Sequence, residues 1–113
     1  MLLSSGKVYY DLAAYRAEHE RHDVALVRVE QLYPLPAGEI RAELDHYPNA
    51  EVVWVQEEPA NQGAWPFIAL NLPAELGGRA LRVVSRRASA SPAVGSHSVH
   101  DAEQRQLVER ALG

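Results

Sequence analysis

The chain has 113 residues and no cysteine, carries a formal net charge of -4, and is 47% hydrophobic and 23% charged. That size fits a single domain spanning residues 1–113, and the missing cysteines remove disulfides, thiolate catalysis and thiolate metal sites together. The negative balance argues against nucleic-acid binding through phosphate contacts, and no apolar run approaches the ~20 residues that a membrane span needs. With no signal-peptide pattern at the start, the cytoplasm is the expected compartment.

The chain opens on MLLSS, an apolar strand with no tail before it, as expected of a segment cut from a longer chain. Ser5 and Gly6 suit a helix start, and Val8, Leu12, Tyr15 and His19 recur at helical steps, predicting a core-facing stripe as far as about Glu20. Residues 24–30, VALVRVE, read as a strand covered on both faces. Pro36 suits the first position of a second helix, whose inward residues are Ala37, Ile40, Leu44 and Tyr47, and Pro48 stops it.

The stretch around which the chain is organised is residues 52–65, VVWVQEEPANQGAW. Four apolar residues are followed at once by Gln56, Glu57 and Glu58, then by Pro59 and a polar loop through Asn61 and Gln62 to Trp65. A strand that ends in hydrogen-bonding side chains brings them to a working edge of the sheet; equally, exposed acids often only solvate a loop. Trp65 reads either as an interface anchor or as a lid closing the core beneath the loop.

Residues 66–72 predict a short helix, residues 77–78 a turn, and residues 81–85 a last strand. Residues 86–98, RRASASPAVGSHS, form a loop of small residues. Ser98 and Asp101 resemble a capping box ahead of a final helix that turns Ala102, Leu107, Val108 and Ala111 inward. Strands near 24, 51 and 81 alternate with helices, which is the rhythm of right-handed βαβ units. The predicted fold is α/β: a three-layer α/β/α sandwich around a small, mostly parallel sheet.

Motif chemistry is sparse. Gly6-Lys7 lacks the earlier glycine and the following Ser or Thr of a phosphate loop. His19 and His22 stand three apart, where a zinc-protease helix needs four, and His97 and His100 lack further ligands. Ser89 and Ser91 have no nucleophile-elbow pattern and read as turn residues or hydroxyl donors. Arg86 and Arg87 follow the last strand and lie ahead of a helix start. They can hold a phosphate or carboxylate, or form salt bridges to Glu57 or Glu58.

Four segments, SSGKVYYDL (4–12), DVALVRVEQLYPLP (23–36), VVWVQEEPANQGAW (52–65) and RRASASPAVGSHSVH (86–100), occur in an order and spacing that closely resemble one family. It is the C-terminal domain of the thiamine-dependent first component of 2-oxoglutarate dehydrogenase. The resemblance implies a transketolase C-terminal-like fold with one antiparallel edge strand. It implies a parent enzyme that uses thiamine diphosphate and magnesium to decarboxylate 2-oxoglutarate and passes a succinyl group to a lipoyl arm in the citric acid cycle. Its partners would be the remaining domains of the same chain, a homodimer partner and the succinyltransferase component. The compartment would be the cytoplasm, or the mitochondrial matrix in a eukaryote.

The Gly-Asp-Gly that opens the family's cofactor motif does not occur here, so the resemblance carries no catalytic, cofactor-binding or metal residue onto this chain. The candidate effector or interface residues are Glu57, Glu58, Asn61, Gln62, Trp65, Arg86, Arg87, Ser89 and His97. The alternatives are a regulatory module binding an anion such as acetyl-CoA or a nucleotide, the same domain of a 2-oxoadipate dehydrogenase, and a free-standing protein that has kept the fold without the enzyme.

Overall fold

A computed structural model describes residues 1–86 and 97–113. Four strands, β1 (Leu2–Ser4), β2 (Leu26–Arg28), β3 (Val52–Pro59) and β4 (Leu81–Arg86), form one sheet in the order β2-β1-β3-β4. The helices are α1 (Val8–Glu18), α2 (Ala37–His46), α3 (Trp65–Asn71) and α4 (His97–Leu112), with a 3-10 turn over Pro73–Glu75. All three strand pairings are parallel, so the antiparallel edge strand implied by the family resemblance is not among the described residues.

Parallel strands need crossovers, and the helices supply them on both faces. Met1, Leu3, Val52 and Trp54 point to one face and meet Ile40 and Leu44 of α2, Ile68 of α3, and Leu72 and Leu76. Leu2, Val53, Val55 and Val84 point to the other and meet Val8 and Leu12 of α1 with Leu107, Val108, Ala111 and Leu112 of α4. Alternate residues of β1 and β3 therefore feed two cores, which is why both strands read as continuous apolar runs. The predicted three-layer α/β/α architecture holds.

Several inward assignments do not. His19 and Tyr47 are exposed, because each lies beyond the last turn of its helix, where the helical period no longer fixes a face. His19 stacks on Tyr15 with ring centroids 3.9 Å apart instead of entering the core. Ala102 is exposed as well. β2 is shorter than predicted and only half-covered, since it is the edge strand and Arg28 and Glu30 face solvent. Helix α4 begins at His97, so Ser98 lies inside the first turn rather than ahead of it.

Two arginines close the ends of the layers. Arg79 donates to the carbonyls of Leu44, Tyr47 and Ala50 at 3.2, 2.9 and 3.3 Å, satisfying the end of α2 that Pro48 interrupts. Arg21 forks onto Asp23 at 2.8 and 2.9 Å and donates to the carbonyl of Leu112, tying the end of α1 to the end of α4. The hydrogen bonds from Arg21, then a backbone N–H, hold the Asp23 carboxyl down at about 2.

Leu12 is fully buried, so Leu12→Ala is expected to cost ~2–5 kcal/mol in urea denaturation, while His19→Ala stays within ~1 kcal/mol. The Asp23 shift also carries a sign. Its folded pKa lies below the ordinary carboxyl value, so its contribution is present above about pH 4 and is lost as the pH falls through about 2. Asp23→Asn should therefore flatten the stability-versus-pH curve below pH 4 and leave its shape near neutrality unchanged.

Candidate functional site

The chain reverses its direction of travel across the sheet between β1 and β3. From β1 it passes through α1 to β2 on one side, and from β3 through α3 to β4 on the other. In open α/β sheets the crevice beyond the carboxyl ends of two such strands is where ligands bind. The turn Ser5-Gly6-Lys7 leaves β1 there, with Gly6 at φ +77, a left-handed geometry that glycine takes without steric strain.

In this protein the crevice is bridged from within. Glu57, next to the end of β3, lies 3.6 Å from Lys7 Nζ. Gln104 of α4 donates through Nε2 to Glu57 Oε1 and to Asp11 Oδ2, both at 2.8 Å. Its Oε1 accepts from Arg86 Nη2 at 2.7 Å, and Arg86 Nη1 donates to Glu103 Oε2 at 3.1 Å. One amide thus joins β3, β4, α1 and α4. The Arg86 side chain is only 14% exposed and Glu57 20%, so the bonds from Arg86 and the Gln104–Glu57 bond are partly shielded from water, whereas the Gln104–Asp11 bond and the Lys7 pair are exposed and weaker. Arg86 is ion-paired to Glu103 rather than to Glu57 or Glu58, and it reaches Glu57 through Gln104.

The loop after β3 hangs on a different amide. Gln56 is 3% exposed and lies on the same side of the strand as Trp54. Its Oε1 accepts from Trp54 Nε1 at 3.0 Å and from the Trp65 backbone N–H at 2.8 Å. Its Nε2 donates to the carbonyls of Glu58, Pro59 and Gln62 at 3.1, 2.9 and 2.9 Å. Gly63 takes φ +63, and a Cβ there would lie 2.7 Å from Glu58 Oε2 and 3.1 Å from Glu58 Cβ. The register of β3 against β4 slips between Val55 and Pro59, while Glu57 follows Val53 and Val55 on the face that packs against α4.

The candidates from the sequence therefore separate. Glu57 and Arg86 come together through Gln104. Glu58, near the end of β3, and Asn61 and Gln62 of the loop after it are exposed. Trp65 opens α3 and packs half-buried against the first core cluster, which is the lid reading of that residue. His97 is the first residue of α4, and Arg87 and Ser89 lie outside the described residues. Sequence reasoning placed Gln56 at the strand's working edge without naming it a candidate, and missed Gln104, Asp11 and Lys7. A glutamine directly after four buried strand residues was a usable signal for Gln56; Gln104 carries none, because one glutamine among polar helix residues looks like solvated surface.

A cavity of about 240 Å³ lies at the opposite, amino end of the strands, between residues 22–25 and the Tyr47–Ala50 segment. It holds none of the candidate residues. Among the described residues no cluster of three or more His, Asp or Glu is placed to bind a metal ion, and no helix is long and apolar enough to cross a membrane.

The family model described as 2-oxoglutarate dehydrogenase C-terminal matches residues 1–112. The chain is 51% identical over its whole length to the multifunctional 2-oxoglutarate metabolism enzyme of Mycolicibacterium vanbaalenii, covering 9% of that protein. It is 49% identical, over 99% of its length and 9% of the relative, to the protein of the same name from Mycobacterium sp. strain JLS.

Gln56→Ala should cost ~2–4 kcal/mol in urea denaturation, because it strands Trp54 Nε1 and the loop groups without partners. Gly63→Ala should cost ~1–3 kcal/mol from the φ and the Glu58 contact together. Gln104→Leu should loosen α4 selectively, read as faster amide exchange in residues 101–112 than in β3.

Proposed function

Since the chain belongs to the 2-oxoglutarate dehydrogenase C-terminal family, we propose that it serves as the C-terminal assembly domain of an enzyme that oxidatively decarboxylates 2-oxoglutarate. The chain spans 9% of the length of the curated relatives that it matches. In this reading residues 1–113 are one domain of a longer polypeptide, and the reaction belongs to the parent. Thiamine diphosphate and magnesium are held by other parts of that parent and supply its decarboxylation chemistry. The succinyl group passes to the lipoyl arm of a succinyltransferase partner, the parent works as a homodimer, and its compartment is the bacterial cytoplasm.

The observation that carries the assembly role is the bridged crevice. Where an open α/β sheet ordinarily receives a ligand, Lys7, Asp11, Glu57, Arg86, Glu103 and Gln104 are all engaged with one another. This favours a structural reading over a regulatory anion module built on Arg86, Arg87, Ser89 and His97, since Arg86 would have to leave Glu103 and Gln104 to hold an effector. The 2-oxoadipate alternative is disfavoured by relatives named for 2-oxoglutarate.

The 113-residue chain alone is expected to release no carbon dioxide from 2-oxoglutarate when supplied with thiamine diphosphate and magnesium. The full-length polypeptide under the same conditions is expected to turn over. Measurable decarboxylation by the short chain, followed with labelled substrate, would overturn the assembly role.

A further inference from the structure

Two segments that lie side by side break the pattern of the rest of the surface. Residues 31–36 (QLYPLP) and 65–72 (WPFIALNL) contain no Asp, Glu, Lys or Arg, in a chain that is 23% charged. Leu32 and Leu35 pack against the first core cluster and pin the loop between them. Tyr33 is thereby turned outward and is 84% exposed. Its ring meets Phe67 of α3 edge-on, with centroids 6.4 Å apart. Leu70 follows Phe67 by three residues, a neighbour on the same helix surface, and is also 84% exposed. Pro66, exposed one turn back, extends the same face. The result is a contiguous apolar patch held by a pinned loop and a helix, with its large side chains already outside.

We propose that this Tyr33–Phe67–Leu70 patch is the surface against which the rest of the parent polypeptide packs. The inference rests on the reading of this chain as one domain of a longer dehydrogenase. Contiguous exposed apolar surface of this kind marks a contact site. The occupant follows from charge and from length. Partners that meet by diffusion are steered by complementary charge, and the patch offers none. A neighbour tethered to the same chain needs no steering, because the tether itself supplies a high effective concentration. The relatives carry the matched segment as 9% of their length, so far more chain lies outside it than within. A second copy of this segment fits less well: the patch has no charge to offset the repulsion between two bodies of formal charge -4.

The test uses the full-length chain. Hydroxyl-radical labelling read by mass spectrometry should modify Tyr33 and Leu70 about five-fold or more slowly in the native enzyme than in the same enzyme unfolded in urea, as expected for residues in a desolvated interface core. Labelling near the unfolded rate overturns the proposal. Leu70→p-benzoylphenylalanine, irradiated, should then crosslink at single-chain mass to a peptide outside these 113 residues. A crosslink at doubled mass assigns the patch to a second copy and overturns it. Detection of the native protein at 12.5 kDa overturns both this inference and the reading beneath it. A long native chain with an open patch overturns this inference alone.

Discussion

The amide of Gln56 sets the geometry that the second half of the chain follows. β3 is the longer of the two interior strands: it pairs with β1 on one side and β4 on the other, and its alternate residues enter both cores. Where such a strand ends, its polar groups must leave the core satisfied, because an unpaired buried donor or acceptor costs ~1–3 kcal/mol. Gln56 meets that requirement for several groups at once. It takes up the indole N–H of Trp54 beneath it and the backbone of the loop above it. It then accepts from the Trp65 N–H, one of the donors that the start of α3 leaves unmatched. The entry into α3 is thereby tied to the end of β3, while β4 is held by its own ladder to β3.

A second amide does the same for the other face. Gln104 stands on α4, far from β3 in sequence, yet it bonds Glu57 at 2.8 Å and accepts from Arg86 at 2.7 Å. The two carboxylates that share its amide NH2 group would repel each other without that donor and without Lys7 beside Glu57. Arg86 and Glu103 complete the arrangement. Groups that would suit an anion site in isolation are therefore matched internally, and their joint effect is to hold the last helix over the sheet. This is the physical basis for reading the carboxyl edge as a fastening rather than as a binding site.

How much of this the sequence showed depends on the range of the interaction. The layers were legible because burial on both faces leaves its mark in local runs, such as Val52 to Val55, and in helical steps, such as Ile40 to Leu44. Failures fell where periodicity stops meaning burial. His19 and Tyr47 sit just past their helices, and the edge position of β2 cannot be seen from β2 alone. The site residues divide in the same way. Glu57 and Arg86 were visible because strand ends can be read locally. Their mediator was not, since a contact between Gln104 and Asp11 spans 93 positions and leaves no local pattern. The fastening of α2 by Arg79 and of α1 to α4 by Arg21 were hidden for the same reason.

These features divide the surface into regions of opposite character. The carboxyl edge is polar and internally matched. The flank formed by the loop before α2 and by α3 is apolar, uncharged and open. Folding alone does not require that contrast. Leu70 at 84% exposure adds nothing to either core, and a polar residue there would serve the isolated fold as well. Leu32 and Leu35 do belong to the fold, and in anchoring their loop they fix the direction in which Tyr33 points. An exposed ring held in one orientation loses little further freedom when covered, which lowers the entropic cost of contact. The flank is thus pre-organised for a neighbour by the same core that stabilises the sheet. The closed edge and the open flank are two outcomes of one packing arrangement.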